Sequence, residues 1–170
     1  MASGGAGASS GAARQVSADL VSLSQAAKHR LPPVTQAAER ALLTLRSLQR
    51  SGEPLRAKDF LTPFLLAMRE PAADTSILLH AMGAVHRQVT LDTVQAKSVP
   101  ELLQAIREQA NHADQSIQLK VLQVLPLLLG RLEYPVDAKF IHDSVDTLLL
   151  MRRSHSGPVM QQTASATLHQ

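Results

Sequence analysis

The stretch Pro32-Pro33-Val34-Thr35-Gln36-Ala37-Ala38-Glu39-Arg40-Ala41-Leu42-Leu43-Thr44-Leu45-Arg46-Ser47-Leu48-Gln49-Arg50-Ser51-Gly52 decides the fold. Val34, Ala37, Ala38, Ala41, Leu42, Leu45 and Leu48 recur at steps of three and four, the spacing that lines one face of an α-helix. Glu39, Arg40, Arg46 and Gln49 fall elsewhere on the circumference. The proline pair stops any helix before it, and Ser51-Gly52 closes the one that follows.

The same apolar pattern returns further along the chain. A step of 40 residues carries Ala37, Ala38, Ala41, Leu42 and Leu45 onto Ile77, Leu78, Ala81, Met82 and Val85, and a second carries them onto Ile117, Gln118, Val121, Leu122 and Leu125. A step of 43 then reaches Met160, Ala164 and Leu168. The recurrence is of apolar character, not of residue identity. A period of about 40 with two helices per unit is that of HEAT and armadillo arrays, whose repeats bury their apolar faces against their neighbours. The expected fold is all-α, an armadillo- or HEAT-like α-solenoid of about seven to eight helices.

Working outward, a first helix is expected over Val16 to Arg30, striped by Val16, Leu20, Leu23 and Ala27. A third spans Leu55 to Met68 with Phe60, Leu61, Phe64, Leu65 and Met68 inward, and Pro63 must kink it or shift its start. Pro71 opens a fourth. Ser98 and Glu101 stand at capping-box spacing for a fifth, with Leu102, Leu103 and Ile106 inward. The sixth, Asp114 to Leu132, is apolar around much of its circumference and should be the most buried, with a bend at Pro126. A seventh presents Phe140, Ile141, Val145, Leu148 and Leu149. Gly157-Pro158 introduces an eighth, whose amphipathic stretch Val159 to Leu168 meets no stop signal before Gln170. Its apolar side is therefore expected to be completed by further residues or by another chain.

Composition agrees with a helical interior. Apolar residues make up 45 % of the 170 and aromatic residues 2 %, so the core is built from Leu, Ala, Val, Ile and Met, and Leu and Ala are the stronger helix formers. With no cysteine, disulfides, thiolate zinc sites and cysteine nucleophiles are excluded. The longest apolar run, Val124 to Leu129, is far below the ~20 residues that span a bilayer. Residues 1–15 are rich in Gly, Ala and Ser and read as a disordered tail, leaving residues 16–170 as one helical-repeat domain.

Three sets of polar residues invite a functional reading. His112 with Asp114, and His142-Asp143 with Asp146, echo the His-Asp doublet of helical metal-dependent phosphohydrolases. Those enzymes need further His and Asp ligands on one metal, and His80 and His86 are six apart, off a common helix face. No Gly-x-Ser-x-Gly elbow, Gly-rich phosphate loop or His-Glu-x-x-His occurs, so no catalytic residue, metal or cofactor is expected. Basic residues gather at Lys28-His29-Arg30, at Arg152-Arg153, and at Arg46, Arg50, Arg56 and Lys58 around the turn after the second helix. Cations at helix C-termini offset the macrodipole. The last group is also a candidate contact for anionic lipid or an acidic partner. Few aromatics and no dense cationic block leave nucleic acid unsupported as a partner.

A resemblance extends this reading. Asp19-Leu20-Val21-Ser22-Leu23-Ser24, then Lys28, then Pro32-Pro33-Val34 with Ala37-Ala38-Glu39, resembles the opening of the Mon-two family, relatives of the large Sec-seven-type Arf exchange factors. Phe60-Leu61-Thr62-Pro63-Phe64-Leu65 looks like that family's V-x-P-F-L segment, and Ser116 to Leu129 like its leucine-rich segment. Thr163-Ala164-Ser165-Ala166-Thr167 looks like its N-T-A-A-A-T-V segment, with Gln162 in place of Asn. The resemblance implies an N-terminal dimerisation and cyclophilin-binding module, part of a larger protein, without a catalytic exchange domain. It further implies a cytoplasmic scaffold, peripheral on trans-Golgi and endosome membranes. The partners implied are an Arf-like small GTPase, the downstream module and a second copy of the chain. The alternatives are a HEAT or armadillo adaptor outside trafficking and an HD-type phosphohydrolase.

Overall fold

The computed structural model describes residues 5–131 and 138–153 and, singly, Pro158, Gln162, Thr163, Ser165 and Ala166, with side chains described from Gly11 to Arg131 and from Ala138 to Met151. Seven α-helices and no strand occur among the described residues: α1 (Gly5–Ala27), α2 (Pro32–Ser51), α3 (Thr62–Arg69), α4 (Thr75–Thr90), α5 (Val99–Glu108), α6 (Gln115–Leu129) and α7 (Ala138–Arg153). Single 3-10 turns, Ala57–Asp59 and Ala96–Ser98, precede α3 and α5. The fold is all-α, as the periodicity requires. Contacts divide the chain after Gln95 into two compact units.

In the first unit α1 packs on α2 and α4, and α3 on α2 and α4. The α1 stripe Val16, Leu20, Leu23 and Ala27 is wholly buried. The helix begins at Gly5 and not at Val16, its alanines favouring helix, and Ala13 is buried. Pro32 and Pro33 occupy the first turn of α2, where the missing N–H has no intrahelical partner to lose. Gly52 ends α2 at φ 71°, its N–H bonded to the Leu48 carbonyl.

Pro63 is resolved as a start and not a kink. The chain makes a 3-10 turn at Ala57–Asp59, and α3 begins at Thr62 with Pro63 in its first turn. Phe60, Leu61, Phe64, Leu65 and Met68 are all buried, each fully covered large side chain contributing about 1.5–3 kcal/mol. Pro71 does not open α4. Asp74 does, its carboxylate accepting from the Ile77 N–H at 2.9 Å, and the same carboxylate pairs with Arg30.

In the second unit α5 packs on α6 and α7, and α6 on α7. Ser98 precedes α5 without the expected side-chain cap, because it belongs to the preceding 3-10 turn. Asp114 caps α6 through the Ser116 N–H at 2.8 Å. Pro126 lies inside α6, leaving the Leu122 carbonyl without its i+4 donor.

Two expectations about burial are corrected. α4 exceeds α6 in burial: nine residues of α4 are buried against six of α6. Ala81, Gly83 and Ala84 let neighbours close on α4 from several sides, whereas Leu127 on α6 stays exposed. On α7 the inward face is Ser144, Thr147, Leu148 and Met151, while Ile141 and Val145 are exposed. Ser144 and Thr147 can turn inward because their hydroxyls bond the Phe140 and Asp143 carbonyls one turn back, at 2.7 and 2.8 Å.

The 40-residue recurrence has its structural counterpart. Its three described sets fall on α2, α4 and α6, every second helix, and all are buried except Ala37 and Gln118, which are partly so. The fourth set, Met160, Ala164 and Leu168, and nearly all of the expected eighth helix lie outside the described residues.

Candidate functional site

A buried polar network ties α1 to the far end of α4. Asp19, 5 % exposed, accepts from Gln15 Nε2 at 3.0 Å, from Arg87 Nε and Nη2 at 3.0 and 2.7 Å, and from Gln88 Nε2 at 2.7 Å. Gly83 stands one turn before Arg87, and a Cβ there would meet Arg87 Nη1 at 3.4 Å, an ordinary contact. Gln88, fully buried, presents Oε1 to the Thr93 hydroxyl at 2.9 Å. Gln95 continues the chain of bonds, its Oε1 accepting the Ala57 N–H at 2.6 Å. The network joins α1 to α4 and, through Thr93 and Gln95, to the 3-10 turn at Ala57.

The histidines do not converge. His142 is 75 % exposed and pairs with Asp146 along α7 at 3.1 Å, while the adjacent Asp143 turns to Arg107 Nη1 on α5, also at 3.1 Å. His112 Nδ1 takes the Asp114 N–H at 3.0 Å, and His80 Nδ1 lies 2.7 Å from the Ser76 carbonyl. Among the described residues no three His or acidic side chains are placed to share a metal ion. Beside the Arg107–Asp143 pair a groove of about 620 Å³ opens between α5 and α7, with Lys139, Phe140 and Leu150 on its walls. Its charges balance, Arg107 and Lys139 against Glu108 and Asp143.

The four basic residues around the turn after α2 all lie at the surface. Arg46 and Arg50 are exposed on the outer side of α2, and Arg56 and Lys58 are exposed on the turn that follows. Arg56 is partly engaged: its N–H donates to Asp59 Oδ2 at 3.1 Å and its Nε lies 3.5 Å away. Of the residues that carried the family resemblance, Val34 and Ala38 are buried, Ala37 is partly buried, and Pro32, Pro33 and Glu39 are exposed.

Sequence reading missed the Asp19 network and the exposure of Leu43 at the centre of the outer α2 face. The first had a signal, since Asp19 lies three residues after Val16 and directly before Leu20, beside the apolar stripe. The second did not, because Leu43 sits among four other leucines from Leu42 to Leu55 and only packing separates inner from outer positions.

The architecture is that of a helical-repeat protein whose exposed side chains, not an assembled catalytic cluster, are its distinguishing features among the described residues. The model of the dimerisation and cyclophilin-binding domain, Mon2/Sec7/BIG1-like, matches residues 8–170. The chain belongs to this family. Protein MON2 of Saccharomyces cerevisiae is 33 % identical over 163 residues, which is 92 % of this chain and 10 % of that relative. The chain thus spans about a tenth of the length of the curated relative it matches.

Proposed function

We propose that the chain is a non-catalytic scaffold module of membrane trafficking that self-associates and binds an Arf-like small GTPase and a neighbouring module of its own protein. The observation that carries this reading is the family match over residues 8–170, whose description names dimerisation and cyclophilin binding. Its place of action is the cytoplasmic side of trans-Golgi and endosome membranes, as a peripheral protein. No described helix is long and apolar enough to cross a membrane.

The physical support lies in the surfaces. Rigid helix pairs present fixed arrays of side chains, and specificity comes from which residues line them. Ile141, 45 % exposed, and Val145 stand one turn apart on α7, and apolar neighbours of this kind favour burial against a partner. The test is binding of the purified chain to Arf-like GTPases loaded with GTP analogue or GDP. Preference for the GTP form is expected. Indifference to nucleotide across all such GTPases would remove the GTPase from the proposal.

A further inference from the structure

We infer that the outer face of α2, centred on Leu43, is a docking site for an acidic helix of another protein. Leu43 is the most exposed large apolar side chain among the described residues, at 63 %. One turn either way stand Arg40 and Arg46, with Arg50 a second turn on, all exposed. None of the three forms an ion pair with a described residue. A lone leucine ringed by uncommitted guanidinium groups is an apolar anchor point with a cationic rim, the form of a protein-contact site.

The distribution of charge points the same way. Between Pro32 and Lys58 the cations Arg40, Arg46, Arg50, Arg56 and Lys58 face only Glu39 and Glu53, a net +3 equal to the excess of the whole chain. Residues 1–31 add a further +2, three cations against one acid, and residues 59–170 carry −2, nine cations against eleven acids. The outer face of α2 and the turn that follows it therefore carry a local positive excess, which steers an oppositely charged partner.

The geometry selects the partner. Arg40 to Arg50 span about 15 Å along the helix, matched by three turns of a helix bearing Glu or Asp three and four residues apart around one apolar side chain seated on Leu43. A second copy does not fit, because an isologous contact would set the arginine rows against each other. A bilayer fits poorly, since an interfacial helix needs a broad apolar face, and here Leu43 stands alone with Glu39 beside it. The inference goes beyond the proposed self-association and GTPase binding and does not rest on them.

The experiment is titration of the chain with a conformationally stapled helical peptide of about 18 residues, glutamates spaced three and four apart around a central leucine. Parallel arms use phosphatidylserine-containing vesicles and sedimentation of the chain alone. Affinity for the peptide is expected to fall with added salt and to drop about tenfold or more in Arg46→Glu/Arg50→Glu. Leu43→Ser is expected to weaken binding, and Arg14→Glu/Lys28→Glu, the same charge change on exposed residues of α1 and the loop after it, to leave it within about twofold. Absence of peptide binding, equal losses in the two double variants, or vesicle binding abolished by Arg46→Glu/Arg50→Glu would each overturn the inference. Since all these substitutions are at exposed positions, circular dichroism should show unchanged helix, and sedimentation unchanged self-association keeps the outcome separate from that of the proposed function.

Discussion

Truncating the two ends of the Asp19–Arg87 pair should have unequal effects. In Arg87→Ala the group left behind is a carboxylate 5 % exposed, still served by Gln15 and Gln88 but without its countercharge. Breaking a buried pair from one side costs about 3–5 kcal/mol, and the two remaining amide donors place this case near the lower end. In Asp19→Ala the orphan is a guanidinium whose side chain is 46 % exposed and can turn to water, so the main cost is the stranded Gln88 amide, about 1–3 kcal/mol. Arg87→Ala is therefore expected to be the more destabilising by about 1 kcal/mol. The double variant should cost less than the sum, with a coupling of about 1–2 kcal/mol. Urea unfolding followed by circular dichroism measures all three, a suitable probe because the chain has no tryptophan. Equal single losses with no coupling would refute the reasoning.

Three further outcomes follow from local geometry. Gly52→Ala should destabilise by about 1 kcal/mol, because residue 52 sits at φ 71° where a Cβ is strained. Gly83→Ala should do the opposite, gaining about 0.5–1 kcal/mol of helix propensity, since its Cβ would meet Arg87 Nη1 at an ordinary 3.4 Å; Gly83→Leu should displace the guanidinium and mimic Arg87→Ala. Asp74→Ala should cost about 1 kcal/mol through the lost cap of α4, and Arg30→Ala much less, because the Arg30–Asp74 pair is exposed. Thermal or urea unfolding reads each of these.

Most of the fold was legible because the chain punctuates its helices with Pro and Gly and stripes them at steps of three and four. The stripes of α1 and α2 and the recurrence across α2, α4 and α6 were read from spacing alone. What spacing could not supply was the identity of the solvent side on nearly all-apolar segments. Ile141 and Val145 match the helical period as well as Leu148, and only the inward hydroxyls of Ser144 and Thr147, satisfied by their own helix, reveal how α7 is rotated. Starts of helices were misread where two signals competed: Pro71 against Asp74, and Ser98 against a 3-10 turn. The basic cluster at Arg46, Arg50, Arg56 and Lys58 was visible in the sequence. The exposure of Leu43, one turn before Arg46, was not.

That the module acts by joining chains is tested most directly by sedimentation velocity across a concentration series of the purified chain, with Ile141→Asp/Val145→Asp alongside. The expected result is a concentration-dependent shift from monomer to dimer that the exposed α7 substitutions weaken while helix content is preserved. A chain that stays monomeric at every concentration would contradict it.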